Sequence, residues 1–147
     1  MERYTLEGID EEYLDFVFAV AVHLLKKDEN SQAGVLIVDA PTVQKLNKRF
    51  RGLDKPANIL SFAYQEIRDD RQFLTAAEEA LYLGDIYICY DEVVKKAAKE
   101  KRSEKDVFTA LFVHGIMHLF GYDHQTDNEA IDMEMLENKI LEIVSKV

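Results

Sequence analysis

An α+β fold is predicted for this chain: a small mixed sheet of three or four strands flanked by about five or six helices. Three observations predict it. Candidate elements run in the order helix, strand, helix, strand, strand, then helices. The strand candidates are short and rich in β-branched and aromatic residues, whereas the helix candidates carry apolar residues at 3.6-residue spacing. One helix candidate, from about Ser103 to Phe120, is apolar almost all round and has to be buried by the others. At 147 residues the chain is read as one domain over 1–147, with enough length to bury a substantial core.

The elements follow from local chemistry. Asp10 is placed to cap a helix running to about Lys27, whose Tyr13, Leu14, Val17, Ala21, Leu24 and Leu25 form an apolar stripe. Residues 34–39 (GVLIVD) read as a short buried strand. Pro41 suits the first turn of a helix with Val43, Leu46 and Phe50 on one side, and Gly52 stops it. Residues 59–64 form a strand with Leu60, Phe62 and Tyr64 on one face and Ile59, Ser61 and Ala63 on the other. Residues 65–81 read as a charged surface excursion with a helical turn near 75–81. Residues 82–90 (YLGDIYICY) are the next strand, in which Gly84 marks a bulge or a close backbone approach. Asp91 is expected to cap a basic helix to about Arg102, Ser103 the central helix, and Thr126 with Glu129 the last one. The helix over 41–51 can carry a crossover, and a short edge strand near 4–7 completes the four-strand version.

Composition narrows the function classes. A single cysteine, Cys89, excludes an internal disulfide and paired-cysteine zinc motifs, and fits a cytoplasmic location. The first residues lack a signal-peptide pattern, and the apolar runs are too short for a membrane span. The net charge of −10 argues against nucleic acid, but the charge is unevenly spread. Lys45, Lys48, Arg49, Arg51 and Lys55 form one basic stretch; Lys95, Lys96, Lys99, Lys101, Arg102 and Lys105 form another. From charge alone, these are solvated helix faces.

The chemistry concentrates in residues 114–124 (HGIMHLFGYDH), which hold three of the four histidines. His114 and His118 are four apart and share a helix face. Gly121 can end the helix in a left-handed turn and return His124 toward them. Three imidazoles at one point leave a zinc ion with an open position, the pattern of catalytic zinc, although other divalent ions suit the same donors. The fourth histidine, His23, has no partner at useful spacing and is expected to be a packed or surface residue. The spacing matches the zinc endopeptidase pattern H-E-x-x-H-x-x-G-x-x-H except at Gly115, where those enzymes keep the glutamate base. Asp123 is either a partner orienting a ligand or a plain turn residue.

These residues resemble the signature HGxLHLxGYDH of the YbeY family of bacterial rRNA maturation factors, with Met117 in place of leucine. Residues 46–62 (LNKRFRGLDKPANILSF) are similar to that family's LNxxYRxxDxPTDVLSF segment, departing at Ala57 and Asn58, and residues 83–86 (LGDI) match its strand. The resemblance implies a core like that of the zinc proteases and a single-strand-specific, metal-dependent endoribonuclease. It implies action on rRNA of the ribosomal subunit, including maturation of the 16S 3′ end and ribosome quality control, with ribosome-associated proteins as further partners and no membrane. It implies one Zn2+ held by His114, His118 and His124, and a functional role for Arg51. A guanidinium there can hold two oxygens of a phosphorane, whereas a plain arginine at a helix end would bond carbonyls near Gly52. On this reading the two basic stretches become RNA tracks, and Phe50 and Phe62 beside them are either base-stacking platforms or core. Two alternatives stand beside it: a peptidase-like zinc hydrolase without the usual glutamate, and a non-enzymatic ribosome-assembly factor with a structural metal.

Overall fold

The structure, a computed structural model, describes residues 6–64, 81–123 and 125–146. Its first helix, α1 (Glu11–Leu24), starts where Asp10 accepts the Tyr13 amide at 2.8 Å. It ends sooner than its apolar spacing suggests, because Lys26 turns left-handed (φ 56°) and the Lys27 amide returns to the Val22 carbonyl. Strand β1 (Gln32–Val38) leads into α2 (Ala40–Arg51), capped by Asp39 through the Thr42 amide and closed by Gly52. Strands β2 (Ile59–Ala63) and β3 (Tyr82–Cys89) follow. Then come α3 (Tyr90–Glu100), α4 (Glu104–Leu119) and α5 (Asp127–Ser145). The fold is α+β, with five helices and one three-stranded mixed sheet among the described residues.

Sheet order is β1-β3-β2, with β1 parallel and β2 antiparallel to β3. The crossover joining the parallel pair therefore holds α2 and also β2. The alternation expected for β2 is observed. Leu60 and Phe62 join Val43 and Cys89 in a small core under α2, with Leu46, Phe50 and Tyr87 packed around it. Ile59 and Ser61 face α4 instead. On that second face Ile86 and Ile88 meet Phe108, Phe112, Val113, Ile116 and Met117, all buried, together with α1 and α5. Gly84 is a close approach: a Cβ there would fall 2.0 Å from the Phe62 carbonyl oxygen.

One expectation changes. Asp91 does not cap α3, because β3 runs straight into the helix and Cys89 occupies the cap position. The Asp91 carboxylate instead accepts the Ala40 amide at 2.9 Å, tying α3 to the start of α2. Of the two readings of Phe50 and Phe62, core holds: Phe62 is fully buried, and the partly buried Phe50 packs against it at 4.9 Å between ring centroids. The edge strand expected near residue 4 falls mostly outside the described residues; Leu6, which is described, is a buried side chain in a turn. The excursion over residues 65–80 also lies outside them.

Candidate metal and phosphate site

Helix α4 brings its two histidines onto one side, facing the start of β2. Ser103 caps the helix by accepting the Asp106 amide at 3.0 Å. The far end closes as a Schellman turn: the Gly121 amide bonds the His118 carbonyl at 2.9 Å and the Tyr122 amide the Met117 carbonyl at 3.0 Å. Gly121 takes φ 91° there, which a residue with a Cβ resists. Lys27, in the turn after α1, steadies this helix end, its ammonium 5.8 Å from the ring centroids of both Phe120 and Tyr122. The chain so returned carries the exposed Asp123; His124 itself lies outside the described residues.

The Nε2 atoms of His114 and His118 face each other at 2.9 Å. Two imidazoles on one zinc ion stand about 3.3 Å apart at tetrahedral angles, given Zn–N bonds of about 2.0–2.1 Å. The pair therefore fits a shared metal with little movement. Among the described residues no third His, Cys, Asp or Glu completes a ligand group. The Nδ1 atom of His114 lies 2.7 Å from a carboxylate oxygen of Glu137 on α5, a partner that sequence reasoning missed. His23 is exposed on α1, as a non-ligand histidine would be.

Gly115, between the histidines, sits against the sheet. A Cβ there would meet Ile59 Cδ1 at 2.9 Å, Ser61 Oγ at 3.0 Å and Ile86 Cγ2 at 3.1 Å. Helix α4 packs on β2 through this point, so a glutamate there would have to push these side chains aside.

Arg51, the last residue of α2, reaches the same place from the other side of β2. Its Nη2 donates to the Ser61 carbonyl at 3.0 Å, and its guanidinium lies 4.8 Å from the Phe62 ring centroid. The bond and the ring contact hold the guanidinium in place. Asn47, buried on α2, donates to the Lys55 carbonyl at 2.8 Å and pins the loop between α2 and β2.

Arg51, Ile59, Ser61, His114, His118 and Leu119 line one concavity of about 400 Å³. Beyond His114 a second hollow is bordered by Asn58, Lys96, Glu100, Arg102 and Glu137. Ile59 and His114 belong to both, so the histidine lies between cations of the two basic stretches. Glu100 pairs with Lys96 at 3.5 Å and Arg102 at 3.1 Å, and the hydrogen bond from Arg102 holds its carboxyl below the usual range. No helix of the described residues is long and apolar enough to cross a membrane.

Known proteins resemble this chain in sequence and fold. A family model described as Endoribonuclease YbeY matches residues 5–145. The Endoribonuclease YbeY of Rhodospirillum rubrum is 42% identical over 110 residues, which cover 75% of this chain and 54% of that protein. That of Roseiflexus sp. is 40% identical over 75% of this chain and 68% of its own length. That of Zymomonas mobilis is 40% identical over 80% and 67%. The matched region thus spans about half to two thirds of the length of these curated relatives. The solution structure of TM1509 from Thermotoga maritima superposes with a TM-score of 0.59 at 26% identity, covering 98% of this chain and 89% of that one. The chain belongs to the Endoribonuclease YbeY family.

Proposed function

We propose that this chain is a metal-dependent endoribonuclease that cuts single-stranded RNA during rRNA maturation in the cytoplasm, including 16S 3′-end processing, and that it serves in ribosome quality control, with the ribosomal subunit as its partner. The observation that carries the reading is the meeting of Arg51 with His114 and His118 in one concavity between β2 and α4. Family membership supports the nuclease class, and the residues fit the chemistry.

His114, His118 and His124 would hold one Zn2+. When bound, such an ion polarises a phosphoryl oxygen and makes water a better nucleophile. Arg51, held against the Phe62 ring, binds two phosphate oxygens through its fork and stabilises the charge that builds on them. Leu119 and Ile59 keep the floor of the concavity apolar, which strengthens these electrostatic contacts. Lys96 and Arg102 stand where the next phosphates of a strand would pass. The two hollows that meet at Ile59 and His114 offer a path for an extended single strand from Arg51 to Lys96 and Arg102. Gly115 counts against the peptidase alternative, since it leaves this chain without the protease glutamate at that position.

The test is cleavage of matched single-stranded and duplex rRNA fragments by metal-analysed protein, with His118→Ala and Arg51→Ala alongside. Cutting of the single strand alone, lost in both variants, is expected. Equal cutting by all three proteins would assign the activity to a contaminant and end the proposal. A 2′,3′-cyclic phosphate on the products would name the RNA 2′-hydroxyl as nucleophile; its absence would name water.

A further inference from the structure

We infer that Glu137 is a positioning residue that fixes the tautomer and orientation of His114 for metal binding, and that it is not the general base of the reaction. The inference rests on the metal reading of His114 given above. Glu137 falls on the inward stripe of α5, four residues after Met133 and three before Ile140, both buried, with Val144 a turn further on. A carboxylate in that apolar row is costly without a partner. Its partner is His114 Nδ1 at 2.7 Å, with the Glu137 side chain 20% exposed and that of His114 34%.

The chemistry of the contact sets the tautomer. An ionised carboxylate only accepts hydrogen bonds, so Nδ1 carries the proton and Nε2 keeps its lone pair. That lone pair is aimed at the point where the His118 Nε2 also converges. A hydrogen bond from the non-ligating nitrogen to a carboxylate fixes the ring and makes the other nitrogen a stronger donor. The same geometry removes Glu137 from the reacting atoms. It lies against the Nδ1 edge of the imidazole, and the ring stands between its oxygens and the Nε2 side. A base has to reach the nucleophile directly or through one water, which this carboxylate does not do from behind the ring.

The experiment uses the full chain, with Glu137→Ala and Glu137→Gln checked for folding by circular dichroism. Zinc affinity is measured by competition with a chelator, and the imidazole nitrogens of the zinc-free protein are read by 15N NMR at a pH of about 8, where free imidazole is neutral. Wild type should show His114 protonated on Nδ1 and bare on Nε2. Glu137→Ala should mix the tautomers and lose about 10- to 100-fold in zinc affinity, and Glu137→Gln, whose amide oxygen still accepts, should recover part of the loss. Zinc affinity and His114 nitrogen shifts unchanged in Glu137→Ala would overturn the proposal while leaving the metal reading intact. A wild type that binds no zinc would remove both. A Glu137→Gln variant with wild-type zinc affinity and no RNA cleavage would make Glu137 the base, and would also overturn it.

Discussion

Gly115 and Ile59 are in contact across the helix–sheet interface, and a single methyl on Gly115 would stand 2.9 Å from Ile59 Cδ1. The zinc-protease pattern has its catalytic glutamate at this position of the helix. Here the position is spent on packing, and β2 comes close enough to line the site with its own backbone. The same closeness lets the Ser61 carbonyl hold Arg51 beside the histidines.

Gly115→Ala is expected to destabilise the fold. Replacing a mid-helix glycine by alanine gains about 1 kcal/mol of helix propensity. Overpacking a buried contact costs about 1–3 kcal/mol, and three sheet atoms are crowded at once. The net loss should be about 1 kcal/mol, read as a lower urea midpoint. Ile59→Val removes the nearest crowding atom, so the double variant should lose less than the sum of the single ones. Simple additivity would show that the contact is not the cause.

Arg51→Ala should lower kcat about 10²- to 10³-fold, the usual cost of one charge-stabilising donor. Stability should fall by only about 1 kcal/mol, because the exposed side chain gives up the Ser61 hydrogen bond and the Phe62 contact. Arg51→Lys should recover little, since an ammonium offers neither the fork nor the flat face that Phe62 supports. Single-turnover rates on an RNA oligonucleotide, set beside urea curves, check both statements. Full activity in the lysine variant would reduce Arg51 to a point charge.

Much of this was legible in the chain because it depends on neighbours within a turn. Asp10, Ser103 and Thr126 cap the helices expected of them, since each needs only an amide three residues on. The two faces of β2 followed from alternation. The neighbour of β3 did not, because the pairing of β1 with β3 spans an intervening helix and strand. Asp91 misled for a related reason: its bond to the Ala40 amide is tertiary, 51 residues away. Glu137 went unseen among 28 acidic residues, although a carboxylate in line with Met133, Ile140 and Val144 was a signal open to reading. At the site, the one-turn spacing of His114 and His118 was readable, whereas the approach of Arg51 needed the sheet.

Removing charge beyond His114 should weaken RNA binding without altering the chemical step. Lys96→Ala and Arg102→Ala should each raise Kd for a single-stranded oligonucleotide. Each should also reduce the slope of log K against log salt by about 0.7, the value for one phosphate contact on a single strand. Glu100→Gln should tighten binding, because its carboxylate now pairs with both cations. Titrations at several salt concentrations measure all three, and unchanged slopes would remove these residues from the RNA path.

Cys89 makes the fold sensitive to alkali. Its side chain is buried beside Val43, Leu60 and Phe62, and burial pushes the thiol pKa up. An unfolded thiol titrates at about 8.5. Below that pH both states keep the proton and Cys89 adds no pH dependence. Above it the unfolded chain loses the proton first, so it binds fewer protons than the folded one, and stability falls as pH rises toward the raised folded value. Urea curves at pH about 7 and about 9.5 should therefore differ more for wild type than for Cys89→Ala, which has nothing to ionise there. The buried thiol should also react slowly with iodoacetamide in the native state and quickly once unfolded. Equal pH sensitivity in the two proteins would move the cause of alkaline unfolding to another group.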